Sequence, residues 1–367
     1  MKLLIEKNLL TEELKLFVGI FEKKSMMEIL QNIKITALQH GNVELVATDL
    51  EIGLLTNFEA QVDEEGSFTV NGRDFYDLIS KMPEGNIEIE ENNDLHIIIK
   101  SSSKKSKYKL MGMQSSDYPE LPTTDFADAQ SIQMSVFSYM INKNYFIVSS
   151  EMKFNLSGAL LSIYEEDIQM AATDGNRLSF TGKFEKKYSE TPIDFIISKK
   201  ALLELQKIGT EGNILLSYDK NNIFFKYKNR ILSSRIIDQK FPNYRAVIPE
   251  KTLFSAIINR DELSNVLKRI LVLKTRNNSI VFKFDNNKLE LDKTSSEKGE
   301  AHEELSINYN GNSITATFNG AFIQEFLSHI STEEIEVSMN DDDSSFIFKP
   351  ISGSDLDYLY VIMPLNI

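Results

Sequence analysis

The chain has 367 residues, of which 42% are apolar and 26% are charged, enough for two or three domains with separate hydrophobic cores. It contains no Cys and only four His, which excludes a disulfide framework and thiolate zinc sites. The formal net charge of −14 argues against a surface that is basic everywhere, so any nucleic-acid contact requires segregated Lys and Arg.

Apolar side chains at helical spacing predict six amphipathic helices. In chain order these lie at residues 11–24, 71–82, 135–148, 198–208, 260–273 and 319–330. A turn and an alternating strand follow every second helix, at residues 85–89, 212–216 and 334–337. No apolar run approaches the roughly 20 residues that span a bilayer, and the amino terminus does not have the form of a signal peptide. We therefore expect a cytoplasmic protein without a membrane partner.

The order of these elements repeats three times. Ile87, Ile214 and Ile335 hold the same place in the three strands, and about 122 residues separate successive copies. Residues 43–48 (VELVAT) also resemble residues 168–173 (IQMAAT), with a weaker copy at residues 289–294. The sequence predicts an α+β protein of three tandem similar domains, 1–124, 125–250 and 251–367, each with two helices backing antiparallel sheets. The alternative is three unrelated α+β domains that share common patterns.

Basic residues are concentrated in the predicted helices, where Lys and Arg outnumber Asp and Glu, whereas the rest of the chain is strongly acidic. Helices that share one face would attract phosphate groups without reading bases. The candidate DNA-facing side chains in these helices are Arg73, Lys143, Lys199, Lys200, Lys207, Lys268 and Arg269. The alternative is ordinary solvated helix faces, with Lys near the C-termini where the helix dipole favours it.

Two further segments carry opposite charge. Residues 102–109 hold four Lys with Tyr108 among them, and residues 297–304 hold four Glu and one Lys. Two strand edges of opposite charge can join two copies head to tail, with charge setting the register. Solvated strand edges remain the alternative.

The sequence contains no motif typical of an enzyme. It lacks a phosphate-binding loop, a dinucleotide fingerprint and a nucleophile elbow. Residues 341–343 (DDD) lie between two strand patterns and are typical of a solvated turn. We therefore predict no catalytic residue, metal or cofactor; a metal hydrolase with dispersed carboxylate ligands is the alternative.

Three short segments resemble a known family. They are residues 173–178 (TDGNRL), 241–245 (FPNYR) and 360–365 (YVIMPL), and residues 47–52 (ATDLEI) fit the same pattern. Together they resemble the bacterial sliding clamp family, the β subunit of DNA polymerase III. The resemblance covers the whole chain and implies the DNA-clamp fold, a head-to-tail homodimeric ring that encircles duplex DNA without sequence preference. It also implies a non-catalytic processivity factor.

The resemblance further implies a partner-peptide pocket between the second and third domains. Its residues would be Leu156, Thr173, Gly175, Arg177, Leu178, Pro242, Val247, Ser345, Val361, Met363, Pro364 and Leu365. Expected partners are the DNA polymerase III catalytic subunit, the clamp-loader ATPase, and other polymerases and repair proteins that carry clamp-binding peptides. Val361 and Met363 could instead pack in the core of their own domain.

The resemblance places two loop residues, Lys24 and Ser149, against DNA. At the dimer interface it places Lys105, Lys107, Tyr108 and Leu110 of one chain against Ile270, Leu273, Glu297, Glu300, Glu303 and Glu304 of the other. Asn176 stands where many relatives have His, and Ala246 where a second Arg often occurs. These departures concern the preferred peptide.

Overall fold

The computed structural model describes residues 1–21, 26–92, 94–148, 156–165, 167–184, 186, 191–275, 277–296, 298–351 and 356–365. Within them lie six α-helices: α1 (Lys7–Lys15), α2 (Gly72–Lys81), α3 (Met134–Asn144), α4 (Lys199–Ile208), α5 (Arg260–Ile270) and α6 (Gly320–Ser328). Short 3-10 helices cover Glu28–Gln31, Gln39–Gly41, Ser115–Asp117 and Tyr244–Val247. None of the helices in the described ranges is long and apolar enough to cross a membrane.

The strands of the first 138 residues are β1 (Lys2–Glu6), β2 (Asn32–Ala37), β3 (Asn42–Thr48), β4 (Ile52–Glu59), β5 (Gln61–Glu64), β6 (Gly66–Asn71), β7 (Asn86–Glu91), β8 (His96–Ser101), β9 (Lys107–Met113) and β10 (Gln130–Gln133). The middle of the chain adds β11 (Gly158–Ile163), β12 (Ile168–Thr173), β13 (Arg177–Gly182), β14 (Ile193–Ser198), β15 (Asn213–Tyr218), β16 (Asn222–Tyr227) and β17 (Arg230–Arg235). The last strands are β18 (Phe254–Asn259), β19 (Ser279–Asp285), β20 (Lys288–Ser295), β21 (Gly299–Ser306), β22 (Asn308–Tyr309), β23 (Ile314–Asn319), β24 (Glu334–Met339), β25 (Phe346–Pro350) and β26 (Asp357–Ile362).

The chain divides into two compact units. Unit 1 comprises Met1–Ser138 and Lys200–Ile237, and its described strands form a single sheet in the order β10-β15-β16-β17-β4-β3-β2-β6-β9-β8-β7-β1-β5. Unit 2 comprises Tyr139–Lys199 and Asp238–Ile367. Its strands form one sheet in the order β14-β11-β12-β13-β26-β25-β24-β18-β22 and a smaller one in the order β21-β20-β19-β23.

Each unit contains a junction between successive sequence repeats. In unit 1, β17 pairs antiparallel with β4, and Ser233 lies opposite Gly53. In unit 2, β26 pairs antiparallel with β13, and Val361 lies opposite Leu178. Both junctions join the last strand of a later repeat to a strand of the earlier one, so the sheet continues across the repeat boundary in the same way twice.

The helix starts follow local capping chemistry. The Asn71, Asn259 and Asn319 side chains accept hydrogen bonds from backbone amides in the first turns of α2, α5 and α6, at 3.0 Å in each case. The prediction for the first helix was wrong in its bounds, because α1 begins at Lys7 and ends at Lys15 rather than covering residues 11–24. Val18 and Gly19, which follow α1, both have low helix propensity and lie in turns.

Candidate functional site

A pocket of about 180 Å³ lies at one end of the larger sheet of unit 2. Five segments meet there: Leu156 before β11, the turn between β12 and β13, the start of β13, the segment 242–247 and the end of β26. The lining residues are Leu156, Thr173, Gly175, Asn176, Arg177, Leu178, Pro242, Asn243, Tyr244, Val247, Val361 and Met363. Most of the wall is apolar, which suits the burial of aliphatic side chains from a ligand.

Side-chain bonds within residues 173–177 shape the turn at the pocket. Thr173 Oγ1 donates to the Arg177 carbonyl at 2.7 Å and accepts from the Gly175 amide at 3.1 Å. Asp174 Oδ1 accepts from the Asn176 and Arg177 amides at 3.0 and 3.1 Å. Gly175 has φ +89°, which disfavours a β-carbon, so the Thr-Asp-Gly sequence specifies this turn locally.

Arg177 connects this turn to the last repeat. Its guanidinium donates to Asp174 Oδ2 at 2.9 Å, to Glu325 Oε2 at 2.8 Å and to the Tyr360 hydroxyl at 3.2 Å. It also stacks 4.0 Å from the centre of the Phe322 ring, and the residue is 7% exposed. Burial opposes the charge, but the contacts with Tyr360 and Asp174 outweigh it and raise the pKa of Arg177. Arg177 therefore has a mainly structural role, because its buried guanidinium links the turn at the pocket to Glu325 and Tyr360 of the last repeat.

Val361 and Met363 of the final strand segment both line the pocket, but only Val361 also packs in the core of its sheet. Val361 is 2% exposed and lies between Leu178 and Ile347 in the ladder, so it packs in the sheet core while also reaching the pocket. Met363 is 44% exposed at the pocket mouth, and its amide donates to the Asn176 carbonyl at 3.2 Å.

Three of the predicted pocket residues do not line it. Ser345 is buried behind the rim, where its hydroxyl donates to the Val247 carbonyl at 2.9 Å. Leu365 is absent from the lining, and its amide donates to the Thr317 carbonyl at 2.7 Å. Pro364, between Met363 and Leu365, is also absent from the described lining.

The predicted DNA-facing side chains of unit 1 differ in how free they are. Arg73 is exposed, and its guanidinium donates to the Val18 carbonyl over a long distance of 3.5 Å. Lys200 pairs with Asp49, and Lys207 pairs with Glu204 at 2.7 Å. Two of these three cations are thus already paired with carboxylates.

Lys143 contradicts its predicted place on a DNA-facing surface. It is 9% exposed, donates to the His329 carbonyl, and lies 4.9 Å from the centre of the Tyr139 ring. Burial lowers the pKa of its ammonium. Tyr139, Tyr358 of β26 and the His329 carbonyl surround this ammonium, which periodicity alone does not reveal.

The other candidates of unit 2 are more accessible. Lys199 donates to the Val148 carbonyl at 2.7 Å, Lys268 is exposed, and Arg269 is exposed but bonded to Glu303 at 2.6 Å. Lys24 and Ser149 lie outside the described residues.

The two oppositely charged segments become strand edges. Lys105, Lys107 and Tyr108 are exposed at the start of β9, and Leu110 is half-buried. Residues 107–111 pair with β8 on one side, and the described residues provide no ladder partner on the other. β21 pairs with β20 alone in the described part of the chain.

The acidic edge requires one correction. Glu300 and Glu304 are exposed on β21, and Leu273 is half-buried after α5. Ile270 is 1% exposed, so the prediction that it meets a second chain was wrong. It lies on the buried face of α5. The neighbouring Val272 is 72% exposed, although it is not among the residues predicted for the interface. Glu297 lies outside the described residues.

Comparison with known proteins accounts for nearly the whole chain. The N-terminal, central and C-terminal domains of the DNA polymerase III beta subunit match residues 1–122, 131–243 and 245–366. The chain belongs to the DNA polymerase III beta subunit family. This membership confirms the predicted α+β clamp fold of three similar domains and the prediction of a non-catalytic processivity subunit.

Beta sliding clamps of several bacteria are similar in sequence over nearly the whole chain. The beta sliding clamp of Synechococcus elongatus is 27% identical over 100% of both chains. That of Staphylococcus aureus is 30% identical over 94% of this chain and 93% of its own. The crystal structure of the beta subunit from Thermotoga maritima matches with a TM-score of 0.91 at 27% identity, covering 100% of this chain and 99% of that one.

Three pocket residues were missed in the sequence of this clamp-family member. Asn176, Asn243 and Tyr244 line the pocket although they were not assigned to it. The signal was present, since all three lie within the segments 173–178 and 241–245 that carried the resemblance. Tyr244 stacks on Phe180 with ring centres 6.0 Å apart, so this tertiary contact positions its side chain in the pocket wall.

Proposed function

We propose that the chain forms a homodimeric ring in the cytoplasm that encircles duplex DNA and keeps DNA polymerase III on its template. The observation that carries this proposal is the repeated junction: β4–β17 and β13–β26 join successive repeats in the same way. The described residues leave the corresponding edges of β21 and β9 unpaired within the chain. Head-to-tail pairing of those edges between two copies closes a ring. Its domains would be 1–124, 125–250 and 251–367.

The electrostatics support enclosure rather than tight gripping. Several candidate cations are already paired with carboxylates, which leaves few strong phosphate contacts on the described surface. Weak backbone contacts permit sliding, whereas base contacts would arrest it. Retention then depends on closure of the ring.

The pocket of unit 2 fits an apolar linear peptide. Val247 and Met363 are 47% and 44% exposed at its mouth, and a flexible thioether adapts to different side chains. We assign this pocket to the catalytic subunit of DNA polymerase III, the clamp-loader ATPase and other polymerases and repair proteins, each of which would insert a short segment.

The ring proposal predicts topological retention on DNA. After loading by the cognate ATPase, the protein should stay on nicked circular DNA through gel filtration and should leave when the circle is cut once. Equal loss from circular and linear DNA would refute enclosure. A protein that never dimerises would refute the ring itself.

The pocket proposal predicts a large effect of Met363→Asp. A carboxylate at the mouth would be desolvated against apolar side chains, so affinity for a synthetic peptide from the cognate polymerase catalytic subunit should fall at least about tenfold. Fluorescence anisotropy measures this. The matched control is Leu253→Asp, since Leu253 is 74% exposed and does not line the pocket. Equal peptide affinity in Met363→Asp and the unchanged chain would contradict the assignment.

A further inference from the structure

The two internal junctions provide a template for the free edges of β9 and β21. In the first, Gly53 of β4 lies opposite Ser233 of β17. In the second, Leu178 of β13 lies opposite Val361 of β26. If a third junction joins two chains, the residues that correspond to these pairs define its register.

The corresponding residue of β21 is found from the hairpin that this strand forms with the strand before it. Residues 43–48, 168–173 and 289–294 are copies of one another, and each ends in Thr. The residues opposite these three threonines in the next strand are Gly53, Leu178 and Glu300. Glu300 therefore holds the position of Gly53 and Leu178.

The corresponding residue of β9 is found from the strand pairs that precede the last strand of each repeat. Equivalent ladder pairs in the three repeats are Leu215 with Lys226, Glu336 with Lys349, and Glu88 with Lys100. Two residues before those lysines, the cross-strand pairs are Phe224 with Ser233, Ile347 with Val361, and Ile98 with Lys109. Lys109 therefore holds the position of Ser233 and Val361.

We propose that β21 pairs with β9 of a second copy in the register that sets Glu300 opposite Lys109 of the partner subunit, and that His302 is a pH-sensitive contact in this junction. Antiparallel pairing then sets His302 opposite Lys107 of the partner subunit and Glu304 opposite Lys105 of the partner subunit. The inference rests on the proposed dimeric ring.

The charges on the exposed face of the two strands fit this register. Glu300, His302 and Glu304 alternate along β21 on the solvent side, whereas Leu305 on the other side is buried. Opposite charges at directly facing positions stabilise an antiparallel pair. Two of the three facing pairs are thus carboxylate with ammonium, and the third depends on the charge of the imidazole.

His302 is held by two carboxylates of its own chain. Nδ1 lies 2.7 Å from Asp292 Oδ1, and Nε2 lies 3.4 Å from Glu304 Oε1. Among the described residues, the nearby charged groups include Glu290, Lys288 and Lys283, which bond to one another or to Glu304. Glu303 also interacts with the charge of His302, and it is bonded to Arg269. On the β9 side, Lys100 is already bonded to Glu88 and Glu90.

Protonation of His302 changes this balance. The bonds to Asp292 and Glu304 raise the pKa of His302 above its ordinary value. Above that pKa, Glu300 and Glu304 are negatively charged and His302 is neutral. Below it, a positively charged imidazolium of His302 faces the ammonium of Lys107 of the partner subunit. The dimer should therefore weaken as the pH falls.

The pH test compares dimer dissociation constants at about pH 8.5 and about pH 6 by sedimentation of the full chain. Each exposed charge contact changes affinity roughly 1.4- to 5-fold and the ring contains two, so we expect about 2- to 25-fold weaker dimerisation at the lower pH. His302→Gln should abolish most of this change, and His40→Gln, at another exposed histidine, should retain it. The same pH dependence in His302→Gln and the unchanged chain would overturn the role of His302.

The register test uses the absence of native Cys. His302→Cys with Lys107→Cys should form a disulfide-linked dimer on mild oxidation, because the two side chains face each other. His302→Cys with Tyr108→Cys should not, since a one-residue slip puts the side chains on opposite faces. A disulfide in the Tyr108→Cys variant and none in the Lys107→Cys variant would overturn the register. So would the absence of a disulfide in both double variants when sedimentation shows that they are dimeric. Monomers at every pH would instead refute the proposed ring.

Discussion

Arg177→Ala should lower the free energy of unfolding by about 3 kcal/mol, since it removes one member of a buried charge network. The substitution leaves Asp174, Glu325 and the Tyr360 hydroxyl without the donor that now satisfies them. It also removes the cation that stacks on Phe322. Denaturant titration of the full chain measures the effect, and peptide affinity should fall with it because the pocket wall loses its tie.

The matched control is Arg269→Ala in the same unit. Arg269 also bonds a carboxylate, Glu303 at 2.6 Å, but its side chain is 57% exposed, so water replaces the lost contact. We expect an unchanged unfolding midpoint for this variant. Similar midpoints for Arg177→Ala and Arg269→Ala would show that burial does not give Arg177 its importance.

Lys293→Met should stabilise the protein by about 2 kcal/mol, because it removes a buried charge that finds no hydrogen-bond partner among the described residues. Lys293 is 2% exposed and lies on the inward face of β20 beside Leu291. The other repeats carry Ala47 and Ala172 at this position, both buried. Met has a similar length and flexibility, so it fills the space without a polar atom.

The gain from Lys293→Met should shrink as the pH rises. Burial lowers the pKa of Lys293 from the ordinary lysine value of 10.5. Between the folded and unfolded pKa values the unfolded chain binds more protons, so this group makes stability rise with pH. Thermal unfolding between about pH 7 and about pH 10 should show the variant and the unchanged chain converging.

Lys283→Met is the control for that measurement. Lys283 is 41% exposed on β19 and bonds Glu290 at 3.2 Å, so its removal should change stability by less than about 0.5 kcal/mol at either pH. A stability loss in Lys293→Met would mean that the ammonium is well solvated in the folded protein.

Several local features depend on signals that lie within a few residues of one another. Asn71, Asn259 and Asn319 begin helices because a side chain near in sequence caps the amides that follow it. The Thr-Asp-Gly turn at residues 173–175 likewise depends on bonds within five residues. Such features are readable because both partners of each bond lie in the same short segment.

Failures occurred where a neighbouring element decides exposure. Lys143 and Ile270 have the helical positions of surface and interface residues, yet packing covers both. Val272 shows the reverse, since an apolar residue after α5 remains 72% exposed. Periodicity assigns a residue to a face of its helix, but the elements that pack against that face determine what is buried.

By itself the sequence determined the threefold repeat, the capped helices, the turn at the pocket and the family, because each depends on residue order over short spans. Tertiary structure decided which charges are buried, which partners they have and which strand edges stay open. Arg177 contacts Glu325 across 148 positions, and Lys143 contacts His329 across 186. Contacts at such separations depend on how the strands of different repeats pair, and no local pattern encodes that pairing.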